Sequence, residues 1–152
     1  MSKRQFAVSP ASGPIVVTGA SGYIGAWIVR DCVENGYEVR ACVRDTSNAS
    51  KTDHLLQLND SRYRGNVTLF EADLFQPGSY DAAFNGAAAV IHAGATVGFN
   101  RETPQEVYDG CFKENAHVIE SVKKSGSVSR FVFTSSFAAV GHPRSEGYVF
   151  TE

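Results

Sequence analysis

Cysteine is scarce in this sequence, neither sign of charge is in large excess, and long hydrophobic runs are missing. The cysteines, Cys32, Cys42 and Cys111, have no Cys-x-x-Cys spacing, which argues against a disulfide framework and a zinc site and favours reduced thiols in the cytosol. A net charge of -2 gives no electrostatic reason to expect nucleic acid or an anionic membrane as a partner. With no apolar run of about 18 residues, no membrane span is predicted.

The sequence contains enough apolar side chains to form the core of one domain. Of its 152 residues, 43% are hydrophobic and 11% aromatic, which is typical of a globular chain and too little for two full domains. Residues 1–13 are rich in Ser, Pro and Ala and are predicted to form a flexible leader. Residues 14–152 are predicted to form the domain.

Short apolar runs alternate with longer segments of helical period. The runs are rich in Val, Ile and Phe and predict five buried strands, at Ile15–Thr18, Glu38–Val43, 67–71, 88–92 and 130–134. This alternation is typical of a doubly wound parallel α/β sheet, and right-handed crossovers favour the strand order 3-2-1-4-5. In such a sheet a ligand is expected at the carboxyl ends of strands 1 and 4, where the order reverses.

Apolar stripes predict the helices between these strands. Pairs such as Ile28/Val29 and Cys32/Val33 recur every four residues before Asn35-Gly36 ends the first helix. A long helix is predicted over Pro104–Ser125, with proline in its first turn. Shorter helices are predicted over 51–58 and 78–84.

A glycine-rich turn joins the first strand to the first helix. Its spacing is G-x-x-G-x-x-G, in which Gly19 permits a tight turn, Gly22 allows close approach of a pyrophosphate, and Gly25 allows close packing of the helix. The helix start then offers backbone amides to the phosphate. Within a β-α-β unit this pattern predicts a Rossmann-like fold that binds a dinucleotide.

The end of the second strand bears on which dinucleotide is bound. NAD-binding proteins usually place a carboxylate there, whereas this sequence has Val43 followed by Arg44, with Lys51 further along. A guanidinium can clamp a 2'-phosphate, so NADP(H) is favoured over NAD. The alternative is that Arg44 is an ordinary solvated arginine, neutralised by Asp45.

Five motifs in register resemble the extended short-chain dehydrogenase/reductase family, in particular its dihydroflavonol reductase, cinnamoyl-CoA reductase and aldehyde reductase branch. Thr18 to Gly25 is similar to the family's TGASGFIG turn, and Val39 to Asp45 to its VRATVRD strand. The other three are the ADL of residues 72–74, residues 90–95 in place of VFHVAT, and residues 131–136 in place of the VFTSS strand. The resemblance spans about residues 15 to 140.

The resemblance implies an NADP(H)-dependent reductase that transfers hydride to a carbonyl, and it assigns roles to several residues. Ser136 takes the place of the serine that orients the substrate oxygen. The residues implied to bind the cofactor are Gly19, Ser21, Gly22, Tyr23, Ile24 and Gly25 at the pyrophosphate turn, Arg44 and Lys51 at the 2'-phosphate, Asp73 and Leu74 at the adenine, and Ala93, Gly94 and Ala95 at the adjoining ribose and phosphates. No metal is implied. The resemblance implies a small-molecule carbonyl substrate as a partner. The family often forms homodimers, and the oligomeric state of this chain is left open.

The sequence departs from this family at its catalytic pair. A Tyr-x-x-x-Lys pair is missing from these 152 residues, and Tyr148 is followed four positions later by Glu152. The sequence therefore resembles the N-terminal half of such an enzyme, expected to bind cofactor without turnover. Two alternatives remain: an NAD-dependent sugar-nucleotide epimerase or dehydratase, and a non-catalytic dinucleotide sensor of the same fold.

Two polar residues on otherwise apolar elements are interpreted as structural. His92 ends the fourth strand and is expected to be a packed, hydrogen-bonded imidazole. Asn115 falls on the apolar stripe of the long helix, where a buried amide needs partners. The loop of residues 96–101 is expected beside the substrate entrance.

Overall fold

The fold is a five-stranded parallel sheet with helices on both faces. The computed structural model describes residues 8–96, 103–136 and 139. Its strands are β1 (Ile15–Thr18), β2 (Glu38–Val43), β3 (Asn66–Glu71), β4 (Ala89–His92) and β5 (Arg130–Phe133), in the order β3-β2-β1-β4-β5. All four pairings are parallel. The predicted Rossmann-like sheet and its order are confirmed.

Four α-helices connect the strands: α1 (Tyr23–Glu34), α2 (Ala49–Leu56), α3 (Asp81–Phe84) and α4 (Pro104–Ser125). The long helix α4 has the predicted bounds, and local chemistry explains both ends. Thr103 and Glu106 form a reciprocal capping box at its start, and Gly126 takes the left-handed conformation at its end.

The alternating side chains of each strand build two apolar layers. In β1, Ile15 and Val17 pack with Val29 and Val33 of α1 on one face. On the other face Val16 packs in the cluster that contains Phe84 of α3 and Val118 of α4. Because both faces are covered, the strands read as continuous apolar runs.

The predictions for the two short helices were wrong at their ends. The segment predicted over 78–84 is helical only over Asp81–Phe84, because Gly78 has φ of 77° and a right-handed helix cannot include it. The segment predicted over 51–58 is helical over Ala49–Leu56 and begins after Asn48.

Part of the predicted leader packs on the domain. Residues 1–7 lie outside the described residues, whereas Pro10–Ser12 form a 3-10 turn and the Tyr37 hydroxyl donates to the Val8 carbonyl at 2.9 Å. No helix among the described residues is long and apolar enough to span a membrane.

Candidate functional site

A cavity of about 380 Å³ opens at the carboxyl ends of the strands, where β1 and β4 separate the two halves of the sheet. Residues at the carboxyl ends of four strands or in the segments that follow them line it: Gly19, Ser21, Gly22, Cys42, Val43, Arg44, Ala72, Asp73, Leu74, Phe75, Tyr80, Ala93, Gly94, Ala95 and Thr96. This is the position at which open α/β sheets bind ligands.

The turn after β1 is built on close backbone contacts. Gly19 has φ of 65°, and a Cβ there would lie 2.7 Å from the Gly94 Cα, so the turn meets the loop after β4 directly. A Cβ on Gly25 would lie 2.1 Å from the Gly19 carbonyl oxygen, because the first turn of α1 packs on the glycine turn itself. Both positions therefore require glycine.

The N-terminus of α1 is left without a side-chain cap. Its N-cap residue is Gly22, which lines the cavity and has no side chain to accept a bond from the helix amides. Within the described residues, no acceptor is found for the amides of Tyr23, Ile24 and Gly25. Free amides and the positive end of the helix dipole beside a cavity form a binding site suited to an anion such as a phosphate.

At the end of β2, Arg44 is exposed and lines the cavity. The neighbouring Asp45 does not pair with it: the Asp45 carboxylate accepts from the Ser47 hydroxyl at 2.6 Å and from the Ser47 amide at 2.9 Å, which lowers the pKa of Asp45. Across the described residues Arg44 has no carboxylate partner. Lys51 is exposed on α2 and does not line the cavity.

The turn after β3 is held rigidly by side chains. The Ser79 hydroxyl donates to the Asp73 carbonyl at 2.7 Å and accepts from the Asp73 amide at 3.1 Å. The Asp73 carboxylate accepts from the Phe75 amide at 2.9 Å, and the Leu74 carbonyl accepts from Nδ1 of His117 at 2.9 Å. The peptide of Asp73 and Leu74 is thus fixed at the cavity wall.

A series of buried side-chain hydrogen bonds fixes the position of the loop after β4. Asn115 Nδ2 donates to the Cys111 carbonyl, so Asn115 Oδ1 accepts from His92 Nε2 at 3.1 Å. In the neutral ring Nδ1 is then the acceptor, and the Thr18 hydroxyl donates to it at 2.6 Å. Thr18 Oγ1 in turn accepts from the Gly94 amide at 3.3 Å. Burial lowers the pKa of His92, in keeping with a neutral, structural ring.

The structure gathers most of the residues implied for the cofactor around one cavity. Those that line it are Gly19, Ser21, Gly22, Arg44, Asp73, Leu74, Ala93, Gly94 and Ala95. Tyr23, Ile24 and Gly25 lie in the first turn of α1, while Lys51 and Ser136 are not among the lining residues. Ser136 follows β5, exposed at the carboxyl edge of the sheet, and its carbonyl accepts from the Ala139 amide. Tyr148, Glu152 and residues 97–101 of the loop lie outside the described residues.

Sequence reasoning missed the inner wall of this cavity. Cys42 and Tyr80 line it although both side chains are almost wholly buried. Burial raises the pKa of Cys42 to about 12, which leaves a neutral thiol. The described residues contain no group of three side chains that could hold a metal ion.

Comparison with known proteins agrees with this architecture. The chain is 39% identical over 129 residues to a dihydroflavonol 4-reductase of Hordeum vulgare, covering 84% of the chain and 36% of that protein. It is 39% identical over 142 residues to the cinnamoyl-CoA reductase CAD2 of Medicago truncatula, covering 91% of the chain and 43% of that protein. A structure of Gre2 from Candida albicans in complex with NADPH superposes with a TM-score of 0.70 at 25% identity, covering 85% of the chain and 38% of that protein.

The chain thus spans roughly two fifths of the curated relatives it matches. A family model described as the NAD dependent epimerase/dehydratase family matches residues 15–151, nearly the whole chain. The glycine turn, the uncapped helix and the cavity at the switch point are what a dinucleotide-binding member needs. This chain belongs to the NAD dependent epimerase/dehydratase family of extended short-chain dehydrogenases/reductases, with reductases among its relatives.

Proposed function

We propose that this chain is the NADP(H)-binding portion of an oxidoreductase that reduces a carbonyl group by hydride transfer. The observation that carries the choice of cofactor is Arg44: its side chain lines the cavity and is not neutralised, because Asp45 is bonded to Ser47 instead. A guanidinium placed there attracts a 2'-phosphate, whereas a carboxylate would repel it. That the Candida albicans relative was solved with NADPH supports the same choice.

The residues present fit a dinucleotide. Gly19 and Gly22 would leave room for the pyrophosphate, the first amides of α1 would hydrogen-bond it, and Asp73 and Leu74 would hold the adenine. The bound cofactor supplies the hydride. The chain's own residues bind and orient it, and Ser136 is proposed to hydrogen-bond the substrate oxygen when the remaining catalytic groups are present.

The substrate, partner and compartment follow the relatives. The relatives' names point to a ketone or an acyl-CoA thioester as the substrate, and the resemblance of the sequence motifs adds an aldehyde. A homodimer in the cytosol is proposed for the complete enzyme. Because Glu152 stands where the catalytic lysine would follow Tyr148, we propose that these 152 residues bind cofactor without turning substrate over.

The test is a comparison of two cofactors on two arginine variants, with dissociation constants measured by isothermal titration calorimetry. Wild type is expected to bind NADPH at least about tenfold more tightly than NADH, as a charge-assisted pair to a 2'-phosphate implies. Arg44→Ala should lose that ratio. Arg30→Ala, a matched change on α1 outside the cavity, should keep it. Equal affinities of wild type for NADPH and NADH would contradict the proposed preference for NADP. They would favour the alternative of an NAD-dependent epimerase.

A further inference from the structure

A second cavity lies between α1, the end of α2 and the segment that follows α2, and its volume is about 370 Å³. It shares no lining residue with the cavity at the switch point. We call it the α1/α2 groove and define it by six residues of its lining, Trp27, Arg30, His54, Leu58, Arg62 and Tyr63. A groove of this size can hold a small molecule.

The groove offers two aromatic rings, each with an arginine stacked on it. The Cζ atom of Arg30 lies 5.3 Å from the centre of the Trp27 ring. The Cζ atom of Arg62 lies 5.7 Å from the centre of the Tyr63 ring. Trp27, the only tryptophan of the sequence, is 54% exposed, while Tyr63 is half-buried against the core. The exposed indole therefore leaves apolar surface that a flat ring could cover by stacking.

The charged side chains of this lining are cationic. Arg30 Nε donates to the Glu34 carboxylate at 2.7 Å, and Arg62 Nε donates to the Asp60 carboxylate at 3.0 Å. Both bonds use Nε, so the N–H groups on the Nη atoms take no part in them. Neither carboxylate lines the groove, and no other acidic residue does so in the part of the chain that the structure describes. The groove thus presents cationic donors to an anion.

The two guanidinium groups lie around one phenol. The pKa of Arg30 is raised first by Glu34 and then by Tyr63. The pKa of Arg62 is raised first by Asp60 and then by the same tyrosine. Because Tyr63 acts on both groups, an anionic group beside its hydroxyl would be within reach of both arginines.

The rim of the groove is held in place by the turn between α2 and β3. The Asp60 carboxylate accepts from the Arg62 amide at 2.8 Å, and the Asp60 carbonyl accepts from the Tyr63 amide at 2.9 Å. The Asn59 side chain donates to the Val67 carbonyl at 2.9 Å and accepts from the Val67 amide at 2.7 Å, which ties the turn to β3. The backbone is therefore fixed in advance, and binding orders only side chains, which lowers its entropic cost.

We propose that the α1/α2 groove binds a planar aromatic acid, with its ring on Trp27 and its carboxylate between Arg30 and Arg62. A guanidinium pairs with a carboxylate through charge-assisted bonds, and an indole stacks with a flat ring. A neutral aromatic ligand would leave the guanidinium donors unused, and a small inorganic anion would leave the indole exposed. The groove is separate from the dinucleotide cavity, so its ligand is independent of the proposed function.

Two probes of the same shape test this, naphthoate with its carboxylate and the neutral naphthamide. Because Trp27 is the only tryptophan, the chain gives one indole N–H signal in a proton–nitrogen correlation spectrum, and a titration of that signal reports binding at the groove. Dissociation constants would be measured in this way for wild type, Arg30→Gln, Arg62→Gln and Arg64→Gln. Arg64 is exposed two positions beyond Arg62 and does not line the groove, so its change removes the same charge nearby.

Naphthoate is expected to bind wild type with a dissociation constant below about 1 mM and at least about fivefold below that of naphthamide, because only naphthoate forms charge-assisted bonds. Arg30→Gln and Arg62→Gln should each weaken naphthoate binding about fivefold and leave naphthamide binding unchanged, while Arg64→Gln should behave as wild type. An indole signal that does not move, equal affinities for the two probes, or unchanged naphthoate binding in both groove variants would overturn the proposal. An equal loss in Arg64→Gln would also overturn it, because it would show general attraction to surface charge.

NADPH separates this site from the proposed function. Since NADPH is assigned to the other cavity, adding it should leave the dissociation constant of naphthoate unchanged. Competition between NADPH and naphthoate would place both in one cavity and overturn the separate site. A chain that binds no dinucleotide would refute the proposed function and leave the naphthoate titration as a valid test of the groove.

Discussion

His92 connects β1, β4 and α4 through hydrogen bonds that need a neutral ring. Thr18 donates to one ring nitrogen and Asn115 accepts from the other, an arrangement that a doubly protonated imidazolium cannot keep. The rings of Phe131 and Phe133 cover it at 6.2 and 5.3 Å between centroids. The sequence predicted a packed imidazole because a histidine ends an otherwise apolar strand. Its hydrogen-bond partners, 74 and 23 positions away, could not be read from the sequence.

The lowered pKa of His92 predicts a loss of stability in mild acid. The unfolded chain takes up the His92 proton near its ordinary pKa of about 6.5, whereas the folded chain resists it to lower pH. The neutral His92 ring therefore makes its full contribution to the free energy of unfolding above pH of about 6.5. That contribution is lost as pH falls below this value. The carboxylates with lowered pKa values, such as Asp45 and Asp81, change the free energy of unfolding only near pH of about 4 and below.

Urea unfolding at pH values between 7.5 and 5 measures this effect. The free energy of unfolding of wild type is expected to fall with pH over that window, and His92→Gln should show a smaller slope. His54→Gln, at an exposed position on α2, should keep the wild-type slope. An equal slope in wild type and His92→Gln would contradict a neutral buried ring.

At the scale of elements, the contact between the glycine turn and α1 gives a matched pair of substitutions. Gly25→Ala places a methyl group 2.1 Å from the Gly19 carbonyl oxygen, so the turn and the helix must separate. We expect it to lower the free energy of unfolding by about 2 kcal/mol or more and to weaken NADPH binding. In Gly110→Ala the new methyl group in α4 meets nothing within 4 Å. This change should raise the free energy of unfolding by about 0.5–1 kcal/mol. Thermal and urea unfolding of both variants check this, and a neutral Gly25→Ala would show that the close contact is not needed.

Elements were predictable where local chemistry decides their ends. The helix of Pro104–Ser125 carries its cap, its proline and its terminal glycine in the sequence, and its bounds were correct. The start of α3 depends on a backbone φ at Gly78 that composition does not reveal. Likewise Arg44 could be found from its place after a strand, while Tyr80 could not, because only the folding of its segment over β2 and β3 brings it to the cavity.

At the scale of the whole molecule, the described sheet is covered on both faces at its centre and exposed along β5. The strand order places β5 at one edge, and three of its four residues are exposed. Beside it lies a groove of about 480 Å³ between α4 and β5. We define the α4/β5 face by its exposed apolar side chains, Tyr108, Phe112, Ile119 and Phe133. An apolar patch of this kind at the edge of a sheet is typical of an interaction surface.

The α4/β5 face predicts that these 152 residues self-associate. Phe112 is 66% exposed, so association would remove much apolar area from water without disturbing the core. Sedimentation equilibrium should show a mass that rises from 16.4 kDa towards twice that value as concentration increases.

Phe112→Glu should hold the chain monomeric, because a carboxylate buried in that contact would lack a partner. Trp27→Glu, at an exposed aromatic on α1 across the sheet, should associate as wild type does. If wild type stays monomeric at every concentration, copies of this chain do not use the face, and apolar exposure there has another cause.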